Sequence, residues 1–220
     1  MRRAPVITID GPAGAGKSTV ARRLARRLGY RYIDSGALYR ALAWKLARGA
    51  APGTPLADTQ VELVPRGDEV AVLVDGVDVS AAIRTPEIGR LASEIAADPA
   101  VREFCSALQR RLAAGGGVVV EGRDAGSVVF PEADVKFYLD AAPEERARRR
   151  VRELTARGEA AEIGRVREEL LGRDRADRTR TLAPLARIPE ACYIDSTGMD
   201  VGEVVERMAR EVERACSTIS

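Results

Sequence analysis

The sequence predicts an α/β fold: a five-stranded parallel sheet flanked by helices, with a small antiparallel insertion. Three observations predict it. Short apolar runs recur along the 220 residues and alternate with stretches of helical periodicity. The runs are apolar throughout, as expected of strands covered on both faces. One stretch instead alternates in the two-residue manner of half-buried strands.

Val6-Ile7-Thr8-Ile9 reads as a buried strand, and glycines and a proline follow it. From Lys17, the spacing of Val20, Leu24 and Leu28 predicts a helix that Gly29 stops. Tyr32-Ile33 predicts a short strand ending at Asp34, and Ser35 an N-cap for a helix toward Arg48, on which Tyr39 and Trp44 pack. Ala50 to Pro55 break the pattern. Val61, Leu63, Val70, Val72 and Val74 then alternate, with turn signals at Arg66-Gly67-Asp68 and Asp75-Gly76. Helical sequence resumes near Pro86, and Pro99 opens a second helix that ends at Gly115 to Gly117. Val118-Val119-Val120 and Val135 to Leu139 read as buried strands. Pro143 to Arg157 is a basic helix, whose run from Arg146 to Arg152 reads as a solvated face interleaved with acids. Glu162 to Asp177 is another charged helix, Tyr193-Ile194 a last strand, and a closing helix runs to about Cys216.

Composition prunes the functions. Thirty-five Lys+Arg against 33 Asp+Glu leave a net charge of +2, which does not predict tight binding to nucleic acid. Histidine is absent, which excludes histidine triads and histidine metal clusters. Only Lys17, Lys45 and Lys136 are lysine. Cys105, Cys192 and Cys216 are far apart and odd in number, so they predict thiols in a reducing cytosol rather than a metal or disulfide framework. Met1-Arg2-Arg3 leads into an apolar run of only about five residues, which predicts no signal peptide. No apolar stretch approaches the ~20 residues needed to span a bilayer. A cytoplasmic protein follows.

Gly11-Pro12-Ala13-Gly14-Ala15-Gly16-Lys17-Ser18 fits the pattern G-x-x-x-x-G-K-[ST], between a strand and an amphipathic helix. Glycines let the backbone curl so that successive N–H groups converge on phosphate oxygens. The helix N-terminus adds partial positive charge on the same side. Lys17 can bridge β- and γ-phosphate oxygens, and Ser18 can place a hydroxyl on Mg²⁺. The nucleotide-binding segment runs from Gly11 through Thr19. Loops of this type occur in motors, switches, pumps and small kinases. The length favours a small kinase, and the base-reading N-K-x-D sequence expected of a switch GTPase is missing.

At this point the chain resembles the nucleoside monophosphate kinases, and within them the bacterial-type cytidylate kinases. The resemblance rests on Ile7 to Ser18, Asp34-Ser35-Gly36-Ala37-Leu38-Tyr39-Arg40, Ile83-Arg84-Thr85, Val101-Arg102 and Gly122 to Pro131. It continues in Arg173-Asp174, Asp177-Arg178 and Ala183-Pro184-Leu185. It implies transfer of the γ-phosphoryl of ATP, with Mg²⁺, to CMP and dCMP by a monomer in pyrimidine metabolism. Ser35, Arg40, Arg123 and Arg180 match the family's acceptor-phosphate ligands. Ser93, Arg102 and Asp124 match its cytosine-reading residues, and Arg173 and Asp177 those that hold the sugar. Lys17, Arg123, Arg173 and Arg180 are the expected catalytic cations, and Ser18 the expected metal ligand.

The resemblance also divides the chain into a core (1–60 and 85–220), a lid (about 148–180) and the β-containing part of the acceptor-binding insertion (61–84). Read without it, Arg40 is a solvated helix charge, and Asp177 and Arg180 form an i,i+3 pair. Glu121 stands where the family has aspartate, Ser18 where glycine is frequent, and Gly172 to Asp177 replaces a more acidic lid segment. The alternatives are another small kinase with the same loop, acting on a different nucleotide or on a hydroxyl metabolite such as shikimate, and an ATP-sensing or nucleic-acid-contacting protein.

Overall fold

The computed structural model describes residues 3–49, 56–67 and 69–218. The predicted break at Ala50 to Pro55, the first two residues and the turn residue Asp68 lie outside them. The first half comprises β1 (Val6–Asp10), α1 (Lys17–Leu28), β2 (Arg31–Asp34), α2 (Ser35–Ala47), β3 (Val61–Arg66), β4 (Glu69–Val74), β5 (Val77–Asp78), α3 (Pro86–Ile95) and α4 (Pro99–Leu112). The second half comprises β6 (Val118–Glu121), β7 (Val135–Asp140), α5 (Pro143–Ala156), α6 (Ile163–Thr179), β8 (Cys192–Asp195) and α7 (Val201–Thr218).

Five strands form the parallel sheet in the order β2-β6-β1-β7-β8. All five residues of β1 are buried, which explains why its sequence is a continuous run and not an alternation. The register sets Ile9 opposite Glu121 and Phe137, so β1 and β6 end within one residue of each other while β7 runs on to Asp140. The C-terminal end of the strands is where sheets of this type carry ligands.

The chain divides into two compact units, Met1–Tyr32 with Ala113–Ser220, and Ile33–Leu112. In the first, Ile7, Ile9, Leu24, Val119, Phe137, Leu139, Ile194 and Met208 form the core. Helix α1 contributes Val20, Ala21 and Leu24 to it, at the spacing of one helical face. Gly29 ends α1 in the left-handed conformation. In the second unit, β3, β4 and β5 make a three-stranded antiparallel sheet. Its Val61, Val72 and Val74 join Leu38, Leu42, Ile83, Cys105 and Leu108 in a separate core, with Trp44 packed at its margin. The turn at Asp75-Gly76 has both residues at positive φ, 50° and 80°, as a two-residue hairpin requires.

Two local expectations are corrected. The N-cap of α2 is Asp34, not Ser35: Asp34 is extended and its carboxylate accepts the Ala37 N–H, while Ser35 is already the first helical residue. Residues Ala125–Val129, left without regular structure by the sequence, form a π-helical turn.

Phe137 is 1% exposed at the centre of the first core. Phe137→Ala is expected to lower unfolding stability by about 3–5 kcal/mol. Urea unfolding checks this, and a loss below about 1 kcal/mol would contradict the packing described.

Candidate active site

The site is assembled from the C-terminal ends of β1 and β6. After β1 the chain must turn sharply against β7. Gly11 does so at φ 149°, where a Cβ would lie 2.0 Å from the Leu139 carbonyl oxygen. The loop then runs from Pro12 to Gly16 and enters α1 with no side-chain cap and no acid in the first turn. The free amide ends of that turn therefore keep their positive character for an anion. Lys17 is buried and its Nζ donates to the Pro12 carbonyl at 2.7 Å, folding the side chain back across the loop. Ser18 and Thr19 are exposed at the helix start. Ser18 Oγ donates to Glu121 Oε1 at 2.5 Å, and Tyr32 Oη donates to the same oxygen at 3.0 Å.

Behind the loop, Asp10 holds the turn that follows β6. Its two carboxylate oxygens accept the Ala125 and Gly126 N–H groups at 2.9 and 2.7 Å. Gly126 makes this approach possible, since a Cβ there would lie 2.6 Å from Thr8 Oγ1. The anchored turn fixes Arg123 and Asp124 just before it. Arg123 Nε donates to Asp177 Oδ2 at 2.8 Å. Arg180 Nη2 donates to Asp124 Oδ1 at 3.2 Å, and its Nη1 lies 3.6 Å from Asp177 Oδ1. Arg180 Nε donates to the Ala183 carbonyl at 2.6 Å, which Ala183 offers from a left-handed conformation at φ 49°. So the i,i+3 pair of Asp177 and Arg180 exists, but as one edge of a larger network.

The electrostatics follow from this crowding. Burial, then the neighbouring Arg123 guanidinium, push the Lys17 amine down to about 7. Arg173 adds to that effect, while Glu121 and Asp10 oppose it. Burial works to lower Arg123 as well, but the Asp177 ion pair and hydrogen bond outweigh it and hold Arg123 above its ordinary value. Burial raises Asp10 to about 6 against the two amide hydrogen bonds, which lower it. Arg123 and Arg173 thus both bear on the Lys17 amine.

The other sequence-predicted residues belong to the second unit. Ser35 is buried at the start of α2, and Arg40 Nη2 donates to Asp34 Oδ2 at 2.9 Å. The solvated reading of Arg40 is therefore replaced by a partly buried ion pair. Arg102 is buried, its Nη1 donates to the Ala96 carbonyl at 3.2 Å, and its guanidinium lies 5.9 Å from the Tyr39 ring centroid. Ser93 Oγ donates to the Gly89 carbonyl at 3.2 Å.

Sequence reasoning passed over Asp10 and Asp34. Each is an acid at the C-terminal end of a predicted strand, beside glycine or serine, and that position was the available signal. One reading fails: Arg146 does not belong to a solvated face. It is 4% exposed and pairs with Asp174, because α5 packs that side against α6.

Asp10 also gives a stability signature. Its folded value of about 6 exceeds the ordinary 3.8. The folded state then binds the extra proton between those values. Stability from this group is fully present below about pH 4 and is lost as pH rises through about 6. Asp10→Asn removes the titration. Melting temperature against pH from 4 to 7 is expected to decline less steeply in the variant; parallel curves would contradict the assignment.

Comparison with known proteins agrees with this geometry. The family model described as cytidylate kinase matches residues 7–214. A cytidylate kinase of Symbiobacterium thermophilum is 49% identical over 218 residues, covering 95% of this chain and 96% of the relative. The cytidylate kinase of Geobacillus kaustophilus is 49% identical over 215 residues, covering 94% and 96%. Among solved structures, a gluconokinase from Sinorhizobium meliloti 1021 superposes with a TM-score of 0.53 at 16% identity, covering 99% of this chain and 97% of that one, a likeness of fold alone. The loop, the arginines after β6 and on α6, and the relatives that match over nearly the whole length place this chain in the cytidylate kinase family.

Proposed function

We propose that the protein transfers the γ-phosphoryl group of ATP to CMP, and also to dCMP. The observation that carries the reading is the gathering of cations at the buried Lys17, whose amine burial first, and then Arg123 and Arg173, push down to about 7. Cations are brought that close where a polyanion is to be bound.

Two anions have to meet for the reaction, and their repulsion is the main barrier to alignment. The segment Gly11 to Thr19 binds the ATP phosphates through its backbone amides and Lys17. Ser35, Arg40, Arg123 and Arg180 bind the acceptor phosphate, and Arg173 and Asp177 its sugar. The attacking atom is a phosphate oxygen, already ionised at neutral pH, so no general base is required. Attack in line with the departing ADP then needs orientation and charge neutralisation by Lys17, Arg123, Arg173 and Arg180. The hydroxyl of Ser18 and the carboxylate of Glu121, 2.5 Å apart, are hard oxygen donors that fit Mg²⁺. Ser18 would ligate the ion and Glu121 would orient Ser18, and bound Mg²⁺ supplies charge neutralisation at the phosphates. Residues 148–180 serve as the lid and residues 61–84 as part of the acceptor-binding insertion.

Base choice follows from donor and acceptor chemistry. Asp124 accepts from the exocyclic amine of cytosine, while Arg102 and Ser93 donate to the ring. Uracil presents a carbonyl where the amine would be, so it meets a carboxylate with no proton between them. Such a mismatch costs about 1–3 kcal/mol, or roughly 5- to 150-fold. The nucleotide pool of the cytoplasm and a monomeric working unit complete the proposal. Among the described residues, no helix is long and apolar enough to cross a membrane.

A coupled assay of ADP formation with ATP·Mg and AMP, CMP, dCMP, GMP, UMP and shikimate tests the reading. CMP and dCMP are expected to give the highest kcat/KM, and Asp124→Asn is expected to lower the CMP value and narrow the gap between CMP and UMP. Faster turnover of AMP or shikimate would overturn it, as would a variant with unchanged base preference.

A further inference from the structure

Ala13, the third residue of the phosphate loop, is held through both of its peptide groups. Its N–H donates to Asp174 Oδ1 at 2.9 Å, and its carbonyl accepts from Arg146 Nη1 at 2.9 Å. Arg146 also pairs directly with Asp174 and donates from Nε to the Ala141 carbonyl at 3.1 Å. Both side chains are 5% exposed. Neither residue is among those given a role above.

A buried ion pair is weak support for stability by itself, because desolvating two charges offsets their attraction. Four directed hydrogen bonds do something else: they fix an orientation. The peptide between Ala13 and Gly14 is planar and trans, so the Gly14 N–H points opposite to the Ala13 carbonyl. Pinning that carbonyl to α5 turns the Gly14 N–H away from α5. The grip from Asp174 on the preceding N–H stops the neighbouring peptide from rotating in compensation. The loop shape is therefore set from two helices outside the loop as well as by its glycines.

We propose that Arg146 and Asp174 are positioning residues that orient the Ala13 peptides of the phosphate loop for the triphosphate of ATP. This rests on the reading of Gly11 to Thr19 as the ATP site. Asp174 occupies the turn of α6 that also carries Arg173 and Asp177, so a separate measurement of CMP binding is needed to tell loop orientation from a general disturbance of α6.

Two variants separate the possibilities. Arg146→Met with Asp174→Leu replaces the pair by apolar side chains of similar size. Asp174→Asn keeps an oxygen for the Ala13 N–H but removes the charge and replaces the oxygen that accepts from Arg146 with an NH2 donor. Calorimetric titration with ATP·Mg and, separately, with CMP is combined with thermal unfolding. The double variant is expected to bind ATP about 10- to 100-fold more weakly, as lost oriented hydrogen bonds imply. Its CMP affinity should stay within about 3-fold of wild type, and Asp174→Asn should lose less ATP affinity than the double variant. If the double variant does not fold, a selective loss of ATP affinity in Asp174→Asn carries the same support. Unchanged ATP affinity in the folded variants, or equal loss of ATP and CMP affinity, would overturn the proposal. A wild-type protein that binds no ATP would instead overturn the reading of the loop itself.

Discussion

Like charges crowd around Lys17, and the site depends on how that crowding is balanced. Lys17, Arg123 and Arg180, largely withdrawn from water, need nearby anions to neutralise them. The fold supplies those anions from fixed positions. Glu121 comes from the end of β6 and Asp124 from the residues after it, while α6 supplies Asp174 and Asp177. Strand ends and helix turns are rigid, so the carboxylates hold the guanidinium groups in place instead of following them.

This arrangement bears on how the proposed reaction works. An arginine already oriented by a carboxylate loses little side-chain freedom when a phosphate takes over part of its donor set. A carboxylate also competes with that phosphate, so the network tunes affinity downward while keeping geometry. Release of a doubly or triply charged product benefits from the same competition, since the protein's own acids can reclaim the arginines. The phosphate loop follows a related logic, with its carbonyls held by Lys17, Arg146 and Arg149 and its Ala13 amide held by Asp174.

Much of this was legible in the amino-acid sequence. The continuous apolar run of β1, the Val20-Leu24-Leu28 spacing and Gly29 defined one strand and one helix almost to the residue, because burial and helix termination act locally. The loop from Gly11 to Ser18 was readable because phosphate binding demands particular residues at fixed spacing. Arg123 and Asp124 stood out by following a buried strand. What escaped depends on partners distant in sequence. Nothing in a basic helix says that Arg146 faces α6 while Arg148 faces solvent; that requires knowing how α5 and α6 pack. Asp34 and Ser35 are both good capping residues in adjacent positions, and only the backbone of β2 decides between them. Asp10 looked like the end of a strand, and its role appears once the turn after β6 is seen to lie against it.

A crystal structure with CMP and a non-hydrolysable ATP analogue with Mg²⁺ tests this picture most directly. We expect the CMP phosphate oxygens within hydrogen-bonding distance of Arg123 and Arg180, in line with the γ-phosphate of the analogue, with Asp177 turned toward the sugar. An acceptor phosphate bound away from both arginines, with the Arg123–Asp177 pair still closed at 2.8 Å, would contradict it.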